Sequence, residues 1–374
     1  MTTVSHPSML LLGCLLAASS GQATAQTISI DALAPSLDRW MYPFGDFTGT
    51  RTAAPTYTTL YSGYTIFDDR DAQYLAAFNT ATQVTAGFLP MQYRVQSATV
   101  RVTCSVADAG ASFIYDPTLD PVSSYFDAGD PTADPPRAAD PLRTEDPDAG
   151  RPVELFAVGF RGGFTPTSFA ENSPFGPASP QPRTRYAYPV DWDGSGIERD
   201  VSNNVTDRFD TSPLSVAAAF TSSGDPMTAG QTVLDGAELK LAVDTSRTVN
   251  ADYIARSLAQ GRLNVLVSSL HPATAFGAGP VSYPVFRTRE SLLGPSTALS
   301  LVVTLCIPDI GAAGGVFAAD GNLDNNDFVV FIDRFFAQDP VTADIGVTGG
   351  LFGRDGRFDN NDFIVFIDRF FEGC

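Results

Sequence analysis

The stretch "TALSLVVTLCI" occupies residues 297–307, and the chain changes character on either side of it. It is one of five short alternating or apolar runs. The others are "SATVRVTCSV" (97–106), "PVELFAVGF" (152–160), "AELKLAV" (237–243) and "RLNVLVSSL" (262–270). Runs of this length, separated by Gly, Pro, Asp and Ser and with few helix-period segments, predict a mainly β region over residues 27–305. The expected form is an antiparallel, jelly-roll-like β-sandwich. One helix is expected at "ADYIARSLAQG" (251–261), where Ile254 and Leu258 give an apolar face and Gly261 a stop.

Two excursions interrupt the runs. Between Tyr115 and Gly150 there are six Asp-Pro steps, a proline density that forbids both helix and interior strand and predicts a surface loop over 115–150. Residues 162–189, rich in Pro, Ser and Phe, read the same way.

The formal charge is −19, with Lys240 the one lysine, so the surface repels phosphate backbones and favours cations. No basic stripe is interleaved with aromatics, which excludes nucleic acid as the expected partner. The amino terminus, "SMLLLGCLLAASSGQATAQ", is an apolar run followed by Ala23-Thr24-Ala25, the pattern of an export signal over residues 1–25. A lipid anchor at Cys14 is the rival reading. No later segment is apolar enough to span a membrane, so a secreted or surface-associated protein is expected.

From Pro308 onward the composition shifts and the chain repeats itself. Residues 309–336 and 344–371 share 20 identities in 28 positions, at a 35-residue period. A separate small domain is expected over 308–374. "DGNLDNNDFVVFIDRFF" (320–336) and "DGRFDNNDFIVFIDRFF" (355–371) each set a carboxylate cluster before an apolar helical run. On a twelve-position calcium loop, Asp320, Gly321, Leu323, Asp324 and Asp327 fall at positions 5, 6, 8, 9 and 12, and Asp355, Gly356, Phe358, Asp359 and Asp362 follow the same order. Clustered oxygen ligands suit Ca²⁺ better than rigidly octahedral Mg²⁺. In the helix behind the first loop, Phe328, Phe331, Ile332, Phe335 and Phe336 are expected on one face, with Asp333 and Arg334 in water.

This pattern resembles the dockerin type I family, and with its closing Gly373-Cys374 it looks like the GC-type dockerin carried by many exported planctomycete proteins. The resemblance implies EF-hand-type loop–helix repeats, a cohesin-like or other cell-surface partner, and two ligand sets. These are Asp320, the Asn322 carbonyl, Asp324 and Asp327, then Asp355, the Arg357 carbonyl, Asp359 and Asp362. Position 1, an aspartate in that family, is here Val316 or Leu351. Asp309 and Asp344 lie eleven residues before position 5 and close the site if the inserted segment loops out; otherwise water fills it. Position 12 is expected to bind through both oxygens.

Three cysteines follow the signal. Cys306 and Cys374 bracket the repeats and are the favoured pair; a Cys104–Cys306 bridge is the alternative. The phrases "DAQYLAAFNTATQVTAGFLPMQYRVQSATVRVT" (71–103) and "VFRTRESLLGPSTALSLVV" (285–303) resemble the DNRLRE-type β-sandwich modules, some of which bind polysaccharide. Catalytic signals are thin. His271 is the single histidine after the signal, and "DWDGSGIERD" (191–200) begins like a calcium loop but ends on Ser202 at position 12. Two functions compete: a non-catalytic adhesion or glycan-binding module tethered through the repeats, and a polysaccharide-active hydrolase with the same tether.

Overall fold

The computed structural model describes residues 27–43, 49–58, 69–106, 112–126, 143–177, 184–193, 196–273, 282–294 and 296–374. The expected signal (1–25) and the middle of the Asp-Pro loop lie outside these residues. All five apolar runs form strands: Tyr93–Thr103, Arg151–Phe160, Glu238–Ala242, Arg262–Ser269 and Ala298–Leu305. They divide between two sheets. The five-stranded sheet runs Thr27–Leu33, Ala298–Leu305, Tyr93–Thr103, Glu238–Ala242, Ala218–Phe220, antiparallel throughout. The nine-stranded sheet has the path Thr232–Val233, Phe113–Asp116, Arg151–Phe160, Arg262–Ser269, Gln73–Asn79, Leu37–Met41, with three short strands off it.

Side-chain alternation explains how the sheets meet. Val100, Val102, Leu239, Leu241, Leu299 and Leu301 are buried and their neighbours, apart from Thr103, are half-buried or exposed, so the smaller sheet has one wet face. Its apolar face shares one cluster with Tyr74, Ala76, Leu155, Ala157, Val265 and Val267 of the larger sheet. The opposite face of the larger sheet is also buried, under Leu75, Val158, Leu266 and Phe169.

That second core revises the reading of residues 162–189. Phe164, Phe169, Phe175 and Tyr186 fold back over the sheet, and the segment's end belongs to the strand Ala187–Trp192. Its phenylalanines are a cover for apolar surface, which a solvated loop has no use for. The expected helix is α1, Thr248–Ala259, with Ile254 and Leu258 buried and Gly261 at φ +75° after it. One strand pair departs from the antiparallel expectation: Tyr115 and Asp116 run parallel to Arg151 and Pro152.

Each repeat consists of a small hairpin followed by a helix. Gly311–Ala312 pairs with Val316–Phe317 before α2 (Asn325–Phe336), and Gly346–Val347 with Leu351–Phe352 before α3 (Asn360–Glu372). Phe331 stacks on its repeat-mate Phe366 at a ring separation of 4.0 Å, and Phe335 meets Phe363 at 4.5 Å. The buried face is rotated from the expected one. Val330 and Phe331 are buried, whereas Phe336 is 76% exposed, and Arg334 lies over the Phe317 ring. The cause is the hairpin, which covers the helix on a side that the helix-period pattern alone leaves open.

Cys306 and Cys374 form a disulfide, with Cα atoms 5.1 Å apart, and Cys104 is a buried thiol. The pair ties the end of the strand Ala298–Leu305 to the second residue beyond α3. In the chain-entropy model, closing a loop of this length contributes about 4 kcal/mol. Replacing both cysteines by serine should therefore lower the melting temperature of α2 and α3 while the sheets melt unchanged, as followed by hydrogen exchange.

Candidate functional site

The repeats position their carboxylates through backbone amides. Asp324 and Asp359 cap α2 and α3 by accepting from the N–H groups of Asn326 (2.7 Å) and Asn361 (2.8 Å). Asp327 and Asp362, three residues on, are fully buried. Asp327 Oδ1 accepts from the amides of Ile310 and Gly311, both at 2.8 Å, and its Oδ2 accepts from Asp324 at 2.8 Å. Asp362 repeats the arrangement with Ile345, Gly346 and Asp359 at 2.8, 2.8 and 2.9 Å. One carboxylate thus joins the root of the hairpin to the first turn of the helix. The approach is tight: a Cβ on Gly311 or Gly346 would lie 2.3 Å from the backbone of Asn326 or Asn361. Burial raises the Asp327 carboxyl above its ordinary value, against the pull of its three amide donors.

The upstream aspartates come back to the loop. Asp309 accepts from the amides of Asp320 (3.1 Å) and Gly321 (3.2 Å), and Asp344 from those of Asp355 (3.1 Å) and Gly356 (3.0 Å). The segment between them stands out as the hairpin, turning at Gly314-Gly315 and Gly349-Gly350, all at positive φ. Asp320 and Asp355 receive the amides of Asn322 (2.9 Å) and Arg357 (3.0 Å) and are exposed.

The two loops differ in their counter-charge. Asp309 pairs with Arg94 of the strand Tyr93–Thr103 at 2.5 Å, while among the described residues no cation pairs with Asp344 or Asp362. Neither loop gathers three carboxylate oxygens to within 4.8 Å of one another; that happens at Asp38, Glu171 and Glu290 and at Asp116, Asp120 and Asp148. Asp327 and Asp362 do not stand as two-oxygen anchors, because Oδ1 of each already accepts two N–H groups.

The larger sheet carries a cleft of about 940 Å³ beside Arg39, Tyr42, Glu171, Phe175 and Arg289. Arg39 holds the cover segment by donating to the carbonyls of Glu171 and Ser173, each at 2.6 Å. Arg289 pairs with Glu171 and, at 2.9 Å, with Glu290. Asp38 lies beneath them, fully buried, accepting from Tyr74 Oη at 2.8 Å and the Arg289 amide at 2.9 Å, and burial pushes its carboxyl up to about 6. A group so enclosed cannot touch a ligand in the cleft.

The other sequence candidates, His271 and Asp191, are enclosed by the fold. His271 is buried edge-on to Phe113, and burial lowers its imidazole to about 3. Trp40 is buried and stacks on Tyr42 at 4.4 Å. Asp191 accepts from the amides of Trp192 (2.8 Å) and Ser212 (2.7 Å). Sequence reasoning passed over Arg94 and the Asp38 group, whose partners lie 215 and more than 130 residues away along the chain. Comparison with protein-family models, with curated proteins and with solved structures gives no match.

The clamp makes a direct prediction. Asp362→Ala leaves three amides without their acceptor, and should destabilise the second repeat by about 3 kcal/mol or more. Amide exchange at Ile345 and Gly346 would accelerate first; unchanged exchange there would remove the clamp from the account.

Proposed function

We propose that the protein is an exported, non-catalytic module in which a β-sandwich binds glycan or another surface, tethered through a dockerin-type calcium module formed by the two repeats. The observation that carries this reading is the identical closure of both loops. Asp309 and Asp344 reach across the hairpin to the amides of the glycine turn, which supports them as the first ligand of each loop. The donor set also fits a hard cation, since the second loop buries two carboxylates that no side-chain cation neutralises among the described residues.

Asp309, Asp320, Asp324 and the Asn322 carbonyl would hold Ca²⁺ in the first loop, and Asp344, Asp355, Asp359 and the Arg357 carbonyl in the second. Asp327 and Asp362 would add Oδ2 alone. Calcium there supplies the positive charge that lets exposed and buried carboxylates converge. Arg94 already supplies part of it in the first loop, so that loop binds more weakly. In calorimetry Arg94→Ala should tighten the weaker of two sites and leave the stronger one unchanged.

The partner surface is supported by exposed apolar residues at matching positions. Val316, Val329 and Phe336 recur as Leu351, Ile364 and Phe371, with Phe336 and Phe371 76% and 79% exposed. A cohesin-like or other cell-surface protein meeting either repeat is the expected partner. Phe336→Ser with Phe371→Ser should abolish calcium-dependent retention on the producing cell's envelope fraction without altering calcium binding. Retention that persists in this variant, or that ignores chelator, would sink the tether reading.

The grouping of Asp38, Glu171 and Glu290 beside the cleft favours one second reading, a polysaccharide-active hydrolase carrying the same tether. Of the three, Glu171 lines the cleft, and Arg289 binds it together with Glu290. Glycan-array binding without hydrolysis supports the first reading; hydrolysis that Glu171→Gln or Glu290→Gln removes supports the second.

A further inference from the structure

The parallel pairing of Tyr115 and Asp116 with Arg151 and Pro152 has a structural consequence. Parallel neighbours cannot be joined by a tight turn, so the chain must leave the sheet and return. The Asp-Pro excursion does this, and both its ends meet at one corner. Asp116, 2% exposed, ends the outgoing strand; Asp120 follows it; Asp146 and Asp148 precede the returning strand. Gly150, at φ +108°, makes the meeting possible, because a Cβ there would lie 2.8 Å from the Ile114 carbonyl and 3.2 Å from Asp116 Cβ.

Four carboxylates meet there, and their neutralisation is incomplete. Arg151 pairs with Asp120 at 2.9 Å and with Asp146. Asp116 and Asp148 have no cationic partner among the described residues. Thr118 Oγ1 lies 2.7 Å from Asp116 Oδ1 and 3.0 Å from Asp148 Oδ2, but has one proton to give. Asp116 Oδ2 is buried and accepts no hydrogen bond at all. Oxygens of Asp116, Asp120 and Asp148 lie within 4.8 Å of one another.

We infer that this corner is a divalent-cation site, distinct from the repeats, held by the carboxylates of Asp116, Asp120 and Asp148. An all-oxygen set without histidine or thiolate selects calcium over zinc. A cation here ties the outgoing strand to the returning chain and so fixes the root of the Asp-Pro loop.

Terbium replaces calcium at oxygen sites and emits when a nearby tyrosine is excited. Tyr125 Oη is 3.4 Å from Asp120 Oδ2, whereas residues 308–374 contain no tyrosine or tryptophan. Titration of the full chain with Tb³⁺ should therefore give tyrosine-sensitised emission that excess calcium displaces. Asp116→Asn and the exposed-site Asp148→Asn should each reduce it at least tenfold, with the circular dichroism of the wild type. Asp309→Asn with Asp344→Asn should leave it unchanged. No sensitised emission, emission that survives Asp116→Asn and Asp148→Asn, or emission lost only in the Asp309/Asp344 variant would each overturn the proposal. The last outcome would still leave the repeats as calcium loops.

Discussion

The C-terminal segment depends on a buried carboxylate with nowhere to go but backbone amides. Asp327 and Asp362 each take three N–H groups, two from the hairpin root and one from the helix cap. Charge-assisted bonds of this kind hold hairpin and helix at one angle. That angle sets which helix face is covered, brings Phe331 onto Phe366, and leaves Phe336 and Phe371 in water. It also fixes where Asp309 and Asp344 return to the loop. The clamp, the aromatic core and the candidate partner surface are consequences of one geometry used twice.

The repeats are also fastened to the sheets. Arg94 reaches Asp309, Gln92 donates to the Ile307 carbonyl at 2.6 Å, and Phe352 stacks on Phe88 at 5.4 Å with Arg354 over the same ring. Arg94 and Gln92 hold the start of the first repeat, and Phe352, Arg354 and the disulfide hold the second, so both repeats are tied to the sheet domain. Two nearly identical sequences therefore sit in unequal electrostatic surroundings, with Arg94 paired to Asp309 in the first loop only.

Much of the fold was legible because its signals are local. Alternation in 97–106 or 237–243 shows in any window of the chain, as does the helix-period face of Ile254 and Leu258. The repeat exposed itself by identity. What stayed hidden depends on distant partners. Nothing in "SFAENSPF" states that Phe169 covers a sheet face, nor does any turn signal reveal the parallel pairing of Asp116 with Pro152. The ligand-like spacing of Asp320, Asp324 and Asp327 was readable, yet the amides that occupy Asp327 come from residues 16 and 17 positions earlier, beyond a calcium-loop template. The Asp116 corner escaped for the same reason: its carboxylates are spread along the excursion and meet only in the fold.

The central claim is that the two repeats are calcium loops closed by Asp309 and Asp344. Native mass spectrometry of the full chain in calcium tests it by counting ions. The account predicts that Asp309→Asn with Asp344→Asn removes two calcium ions from the wild-type complement while the disulfide and the mass of the chain otherwise stay the same. A wild-type chain that carries no calcium, or a double variant that carries as many ions as the wild type, would contradict it.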